Sequence, residues 1–199
     1  MKKSVNDPGL ILASQSPRRR YLLTQAGLEF SVIPSRFDES TVKLSSPEAH
    51  VRHLAENKAG DVSGQYPASW VIGADTIVFI DATILGKPGS PSEARAMLNR
   101  LNGRTHQVLT GYCICRHNTG SFFSDTVRTD VCFKKLTDRE IDWYLDSDEP
   151  YDKAGAYGIQ GIGSFLVKRI NGSYTNVVGL PVCEVMDFLI SEKVITLVS

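Results

Sequence analysis

One carboxylate stands where a carboxylate is costly. Asp75 lies inside Val71-Ile-Gly-Ala-Asp-Thr-Ile-Val78, a run that is apolar on both sides of it. An ionised side chain in such a strand needs a cationic partner or a metal ion, and it is also a candidate general base. Gly73, two residues earlier, leaves room for a ligand or another backbone to approach closely. Lys58 is the second unusual residue. In the helix opened by Ser46-Pro47, the apolar residues Val51, Leu54 and Ala55 share a face, and further steps of three and four residues arrive at Lys58. A lysine on that inward stripe must snorkel out or face a buried anion. Glu39, in the polar segment 36–45, supplies a second carboxylate, and Lys87, in Gly86-Lys87-Pro88, a further cation.

A third grouping sits near the N-terminus. Ser14 and Ser16 precede a helix whose first turn carries Arg18, Arg19 and Arg20. The helix dipole already places partial positive charge there, so added cations are locally unfavourable. Cations gathered at such an end imply an anion, and free amides, hydroxyls and guanidinium forks together form a phosphate cradle. Two carboxylates, dispersed cations and a helix-terminal cradle suit a metal–triphosphate complex. Chemistry at phosphorus asks for charge neutralisation and alignment more than for a covalent nucleophile. No GxxxxGK[ST] occurs, which disfavours a P-loop enzyme. His50, His53, His106 and His117 lack metal-ligand spacing, and His50 and His53 are expected on a helix surface.

The elements that must position these residues can be read from the same chain. Leu10 to Ser14 reads as a buried strand, followed by a helix with Ser16 as N-cap, Pro17 in the first turn and Gly27 at its end. Phe30 to Pro34 is a second short strand, and the Ser46-Pro47 helix is expected to end at Gly60. Trp70 to Ile80 is the strongest strand signal and reads as central, covered on both faces. Ser90-Pro91-Ser92-Glu93 is a capping box for a helix that stops at Gly103. Gln107 to Arg116 and Ser121 to Lys135 read as long strands joined by a turn at 118–120. A capping box at Thr137 and Glu140 opens another helix, Gly155 to Gly163 is a glycine-rich loop, Phe165 to Ile170 a strand, and Leu180 to Ile190 a last helix. Strands and helices mix without strict alternation, so the expected class is α/β with a mixed sheet.

Composition narrows the class further. The 199 residues are 42% hydrophobic and 22% charged, as globular proteins are, and are read as one domain over 1–199. The formal net charge is zero, which gives nucleic-acid binding little electrostatic support. No apolar run is long enough for a membrane span or a signal peptide, so a cytoplasmic location is expected, with no membrane partner. Cys113, Cys115, Cys132 and Cys183 form no CxxC and no zinc pattern and are read as reduced thiols.

With these motifs in view, the chain resembles the Maf family of nucleoside triphosphate pyrophosphatases. The likeness runs through Leu12-Ala-Ser-Gln-Ser-Pro-Arg-Arg19, the Asp38-Glu39 loop, Glu56-Asn-Lys58-Ala, Gly73-Ala-Asp-Thr76 and Gly86-Lys-Pro88. It continues through Leu101-Asn-Gly-Arg-Thr-His-Gln-Val-Leu-Thr110, Asp152-Lys-Ala-Gly-Ala-Tyr-Gly-Ile-Gln-Gly161 and Gly172-Ser-Tyr-Thr-Asn-Val-Val-Gly-Leu-Pro181. The resemblance implies a twisted mixed sheet with flanking helices, in two lobes around a cleft, similar to the inosine triphosphate pyrophosphatases. It implies a divalent-metal hydrolase, with Mg²⁺ or Mn²⁺, cutting between the α- and β-phosphates. Asp75 falls at the family's proton acceptor. Glu39, Lys58 and Lys87 fall at its other polar site residues, and Arg18, Thr76 and Gln160 at positions tied to base choice. Ala154-Gly-Ala-Tyr-Gly-Ile-Gln160 resembles the branch that uses dTTP and UTP. The expected site therefore has Glu39 and Asp75 on the metal and Ser14, Arg18, Lys58 and Lys87 on the phosphates, with Gln160 on the base. The competing readings are the same chemistry on 7-methyl-GTP or another modified nucleotide, and a non-catalytic nucleotide-binding regulator of cell division. A small-molecule nucleotide is the expected partner, and a homodimer is left open.

Overall fold

The computed structural model describes residues 9–42 and 46–196. Residues 43–45, at the end of the polar segment 36–45, lie outside the described residues. In chain order the strands are β1 (Leu10–Leu12), β2 (Ser31–Val32), β3 (Trp70–Ile80), β4 (Thr83–Leu85), β5 (Thr105–Arg116), β6 (Ser121–Phe133) and β7 (Val167–Asn171). The helices are α1 (Pro17–Gln25), α2 (Pro47–Gln65), α3 (Pro91–Leu101), α4 (Asp138–Leu145), α5 (Tyr174–Val178) and α6 (Val182–Ser191). The strands form one seven-stranded sheet in the order β2-β1-β3-β5-β6-β7, with β4 paired to β3 outside that path. β1 runs parallel to β2 and β3, whereas the β3–β4 and β6–β7 pairs are antiparallel. The expected mixed sheet with flanking helices is therefore present.

The chain packs as two compact units and passes between them inside β3 (Asp75 to Thr76), β5 (Leu109 to Thr110) and β6 (Thr126 to Val127), and again from Val178 to Gly179. The first unit takes the chain up to Asp75, then Thr110–Thr126 and the part from Gly179 onward. Its core includes Ile11, Ala55, Ala59, Val62, Val71 and Cys113. The second unit takes Thr76–Leu109 and Val127–Val178 and has a core that includes Leu98, Leu101, Phe133, Ile141, Tyr144 and Leu166, all fully buried. Each such side chain contributes roughly 1.5–3 kcal/mol through burial.

The caps explain where the helices begin. Ser16, Ser46, Ser90 and Thr137 each accept a backbone N–H three residues on, and the first three are followed by proline. At Thr137 both bonds of the capping box form. Helix α2, however, does not stop at Gly60. Ala59, Val62 and Ser63 keep its inward stripe buried for another turn, and it runs on to Gln65. Burial of that stripe outweighs the roughly 1 kcal/mol a mid-helix glycine costs. The strand expected at 30–34 shrinks to Ser31–Val32, and that at 165–170 becomes Val167–Asn171. The glycine-rich stretch forms short 3-10 turns, Ala154–Ala156 and Gly161–Leu166. Strand β4 and helix α5 are additional to the elements expected from the sequence. The β3–β4 turn places Asp81 and Ala82 at positive φ, the pattern of a tight hairpin, although neither residue is a glycine. All four cysteines are free, with Cys113 and Cys115 buried. No helix among the described residues is long and apolar enough to cross a membrane.

Candidate active site

In the first unit, helix α2 lies against the sheet at glycine positions. A Cβ on Gly73 would stand 2.3 Å from the Ala55 carbonyl oxygen and 2.7 Å from the Ala59 nitrogen, and one on Gly111 would stand 2.3 Å from the Val51 carbonyl. Only glycine allows that approach. The close seating brings Lys58, one turn beyond Ala55, to Asp75, two residues beyond Gly73 on the same strand. The Lys58 ammonium donates to Asp75 Oδ1 at 2.7 Å and lies 2.9 Å from Glu39 Oε1. Lys58 and Asp75 are largely buried, with side chains 13% and 14% exposed, while Glu39 is 56% exposed. Glu39 opens a 3-10 turn, Glu39–Thr41, whose N-cap Asp38 accepts the Ser40 N–H. The lysine on the apolar stripe thus meets a buried anion, and a second carboxylate from the polar segment closes on it.

The helix-terminal grouping is built around Arg19. Its side chain is buried, and it donates from Nη1 to Ser14 Oγ at 3.1 Å and from Nε to the Gly179 carbonyl at 2.8 Å. Burial pushes the Arg19 pKa down, while the charges of Asp75 and Glu39 oppose that shift and Arg18 adds to it. The arginine and the Asp75–Lys58–Glu39 cluster are therefore within electrostatic reach of each other. Arg18 is half-buried beside it and Arg20 is exposed. The family motif points to Arg18, whereas of the three arginines in this turn Arg19 is the one whose side chain is buried. The signal was available, since Arg19 stands three and four residues before Leu22 and Leu23, both buried on the inward stripe.

Thr76, Lys87 and Gln160 belong to the second unit. Thr76 is half-buried in β3, and Lys87 is exposed just after β4. The glycine-rich segment is tied to the Lys87 neighbourhood, because the Gly155 N–H donates to the Gly86 carbonyl at 3.0 Å. Gly155 has φ +70, and a Cβ there would press on Val78 at 3.0 Å. Tyr157 anchors the segment to the core. Its hydroxyl is 2.7 Å from His106 Nε2, and the two rings and Phe133 stack edge to face. Burial holds the His106 pKa down at about 3, so the imidazole is neutral there. Gln160 follows in extended conformation, half-buried, between Gly158 and Gly161.

The donor set near Asp75 bears on the metal question. Glu39 and Asp75 reach one cationic point, the Lys58 ammonium. Among the described residues no third His, Cys, Asp or Glu joins them in a metal-holding group. Two carboxylates converging on one cationic point are a donor set that could hold a hard divalent cation shared with substrate phosphates.

The fold is that of a mixed-sheet α/β protein and is shared with the Ham1 protein of Staphylococcus aureus, at a TM-score of 0.50 and 13% identity over 92% of this chain and 98% of that one. More specifically, the chain belongs to the family of Maf-like proteins, whose model matches residues 9–192. It is similar to the dTTP/UTP pyrophosphatase of Syntrophus aciditrophicus (strain SB), with 49% identity over 180 residues, 90% of this chain and 88% of the relative. It is likewise similar to the dTTP/UTP pyrophosphatase of Geobacillus sp. (strain WCH70), with 52% identity over 172 residues, 86% and 91% of the two chains.

Proposed function

We propose that this protein hydrolyses dTTP and UTP to the monophosphate and pyrophosphate. The observation that carries the reading is the Lys58 ammonium held between the Asp75 and Glu39 carboxylates, in a family whose similar members bear that activity in their names. Water attacks the α-phosphorus. Its oxygen forms the new P–O bond, its proton passes to the Asp75 carboxylate, and the bond from the α-phosphorus to the bridging oxygen breaks. The bridging oxygen leaves with the β-phosphorus as pyrophosphate. Ser14 and Arg19, with Arg18 beside them, offer hydroxyl and guanidinium donors to the phosphates, and Lys58 adds a point charge. Lys87 is assigned to phosphate contact, and Thr76 and Gln160 to base choice, by the family motifs they occupy. Glu39 and Asp75 would hold a Mg²⁺ or Mn²⁺ ion, which supplies charge neutralisation on the phosphate oxygens.

Product analysis tests the reading. Incubation with dTTP and Mg²⁺ should yield thymidine monophosphate and pyrophosphate in equal amounts. Thymidine diphosphate with orthophosphate as the first products would place the cut at the wrong bond.

A further inference from the structure

The glycine-rich segment is organised around an acid that the chemistry above leaves unused. Glu149 starts the 3-10 turn Glu149–Asp152 in the second unit. Its Oε1 accepts the Tyr144 hydroxyl at 3.0 Å and the Gly163 N–H at 2.8 Å, and its Oε2 accepts the Ile162 N–H at 2.9 Å. The Tyr144 oxygen in turn accepts the Gly158 N–H at 3.1 Å. One carboxylate and one phenol therefore hold the backbone on both sides of Gln160. An acceptor-only carboxylate matches three converging donors, and a carboxamide would turn its own N–H groups on one of them.

The glycines follow the same geometry. A Cβ on Gly161, whose φ is +67, would come within 2.5 Å of Glu149 Oε2. One on Gly163 would stand 2.3 Å from the Gly158 carbonyl, 2.7 Å from the Tyr144 hydroxyl and 2.9 Å from Glu149 Oε1. One on Gly158 would stand 2.9 Å from Lys153 Cε, whose ammonium donates to the Glu149 carbonyl at 2.6 Å. Gly161, by its positive φ, and Gly163, by its contact with the Gly158 backbone, are thus constrained where the chain wraps around Glu149, whereas at Gly158 the flexible end of Lys153 would have to give way.

We propose that Glu149, with Tyr144 as its relay, is a positioning residue for base selection, fixing the backbone that flanks Gln160 so that its amide is presented in one arrangement. The proposal rests on the reading of Gln160 as the residue that chooses the base. Uracil and thymine present an acceptor–donor pair to an amide, and cytosine reverses part of it, so discrimination depends on that amide being held in place beforehand. A loosened segment forfeits binding and selectivity before it affects attack at phosphorus.

The test measures kcat and KM for UTP and CTP in the full-length protein and in Glu149→Gln, Tyr144→Phe, Gln160→Ala and the double variant Glu149→Gln/Gln160→Ala. Hydrogen exchange of the Ile162 and Gly163 amides is followed without nucleotide. Glu149→Gln should raise KM for UTP about tenfold with kcat held within about twofold, the size expected for losing one charge-assisted bond. It should also narrow the UTP-to-CTP preference and speed exchange at both amides. Adding Gln160→Ala should narrow the preference no further. Tyr144→Phe should move the same quantities in the same direction and carries the test if Glu149→Gln does not fold. A Glu149→Gln enzyme with wild-type KM, preference and exchange, beside a Gln160→Ala enzyme whose preference has changed, overturns the role of Glu149 alone. An unchanged preference in Gln160→Ala removes the base reading, and with it the selective role given to Glu149.

Discussion

Replacing Asp75 by asparagine separates chemistry from scaffolding. The side chain keeps its size and loses its charge. Its Oδ1 lies 2.7 Å from Lys58 Nζ, with both side chains largely buried. At an effective dielectric of ~20, unit charges at that separation attract by about 6 kcal/mol, most of it offset by the desolvation of both groups. Asparagine does not strand the lysine, because Glu39 remains 2.9 Å away. The fold should therefore lose about 1–3 kcal/mol rather than the roughly 3–5 kcal/mol that follows when a buried charge is left alone. Turnover should fall much further, by about 10²–10⁴-fold, which is about 3–5 kcal/mol on the barrier. Pyrophosphate release from dTTP, beside a thermal melt of the same preparation, reads both quantities. A folded Asp75→Asn variant with wild-type turnover would refute the catalytic assignment, and a variant that unfolds would show Asp75 to be a packing residue of the sheet.

Three further outcomes are expected. EDTA should abolish turnover and added Mg²⁺ should restore it; undiminished rates in EDTA would remove the metal from the scheme. Gly111→Ala should destabilise the protein by about 1–3 kcal/mol, since its Cβ would stand 2.3 Å from the Val51 carbonyl, and an unchanged denaturation midpoint would contradict the close seating of α2. The folded-state pKa of His106, about 3, lies below its ordinary value of 6.5, so above pH 6.5 both folded and unfolded chains hold it neutral. As pH falls toward 3 the unfolded chain takes up a proton that the folded one refuses, and stability drops by about 1.4 kcal/mol per unit. His106→Gln should lose that component of the acid slope, and parallel acid melts for the two proteins would show that another group sets it.

The parts of the site legible in the sequence were those where a charge violated a hydrophobic pattern. Asp75 interrupts an apolar strand, and Lys58 falls on the stripe set by Val51, Leu54 and Ala55; each violation marked a group in need of a partner, but that the two are each other's partners is visible only in the fold. Arg19 was harder, because three adjacent arginines differ only in helical phase, and the phase is set by Leu22 and Leu23 further along. Gly60 has the look of a helix terminator, but Val62 continues the buried face and α2 runs on to Gln65. Helix α5 escaped because five residues are too few to establish a period; what organises it is the Ser173 hydroxyl, which accepts the Asn176 N–H. The wrap around Glu149 was invisible in principle, since a glycine-rich stretch does not say which distant carboxylate its amides will meet.

The seating of α2 on Gly73 and Gly111 also has a bearing on mutational tolerance. Neither position carries a side chain, yet the pair fixes how far the helix stands from the strands, and that height sets how deeply Lys58 descends toward Asp75. A methyl group at Gly73 would lift the helix and lengthen a 2.7 Å contact. Changes at these two residues would then register in a mutational survey as losses of turnover larger than their losses of stability. A map of tolerated substitutions would mark them as part of the candidate site, although they have no side chain with which to touch a nucleotide.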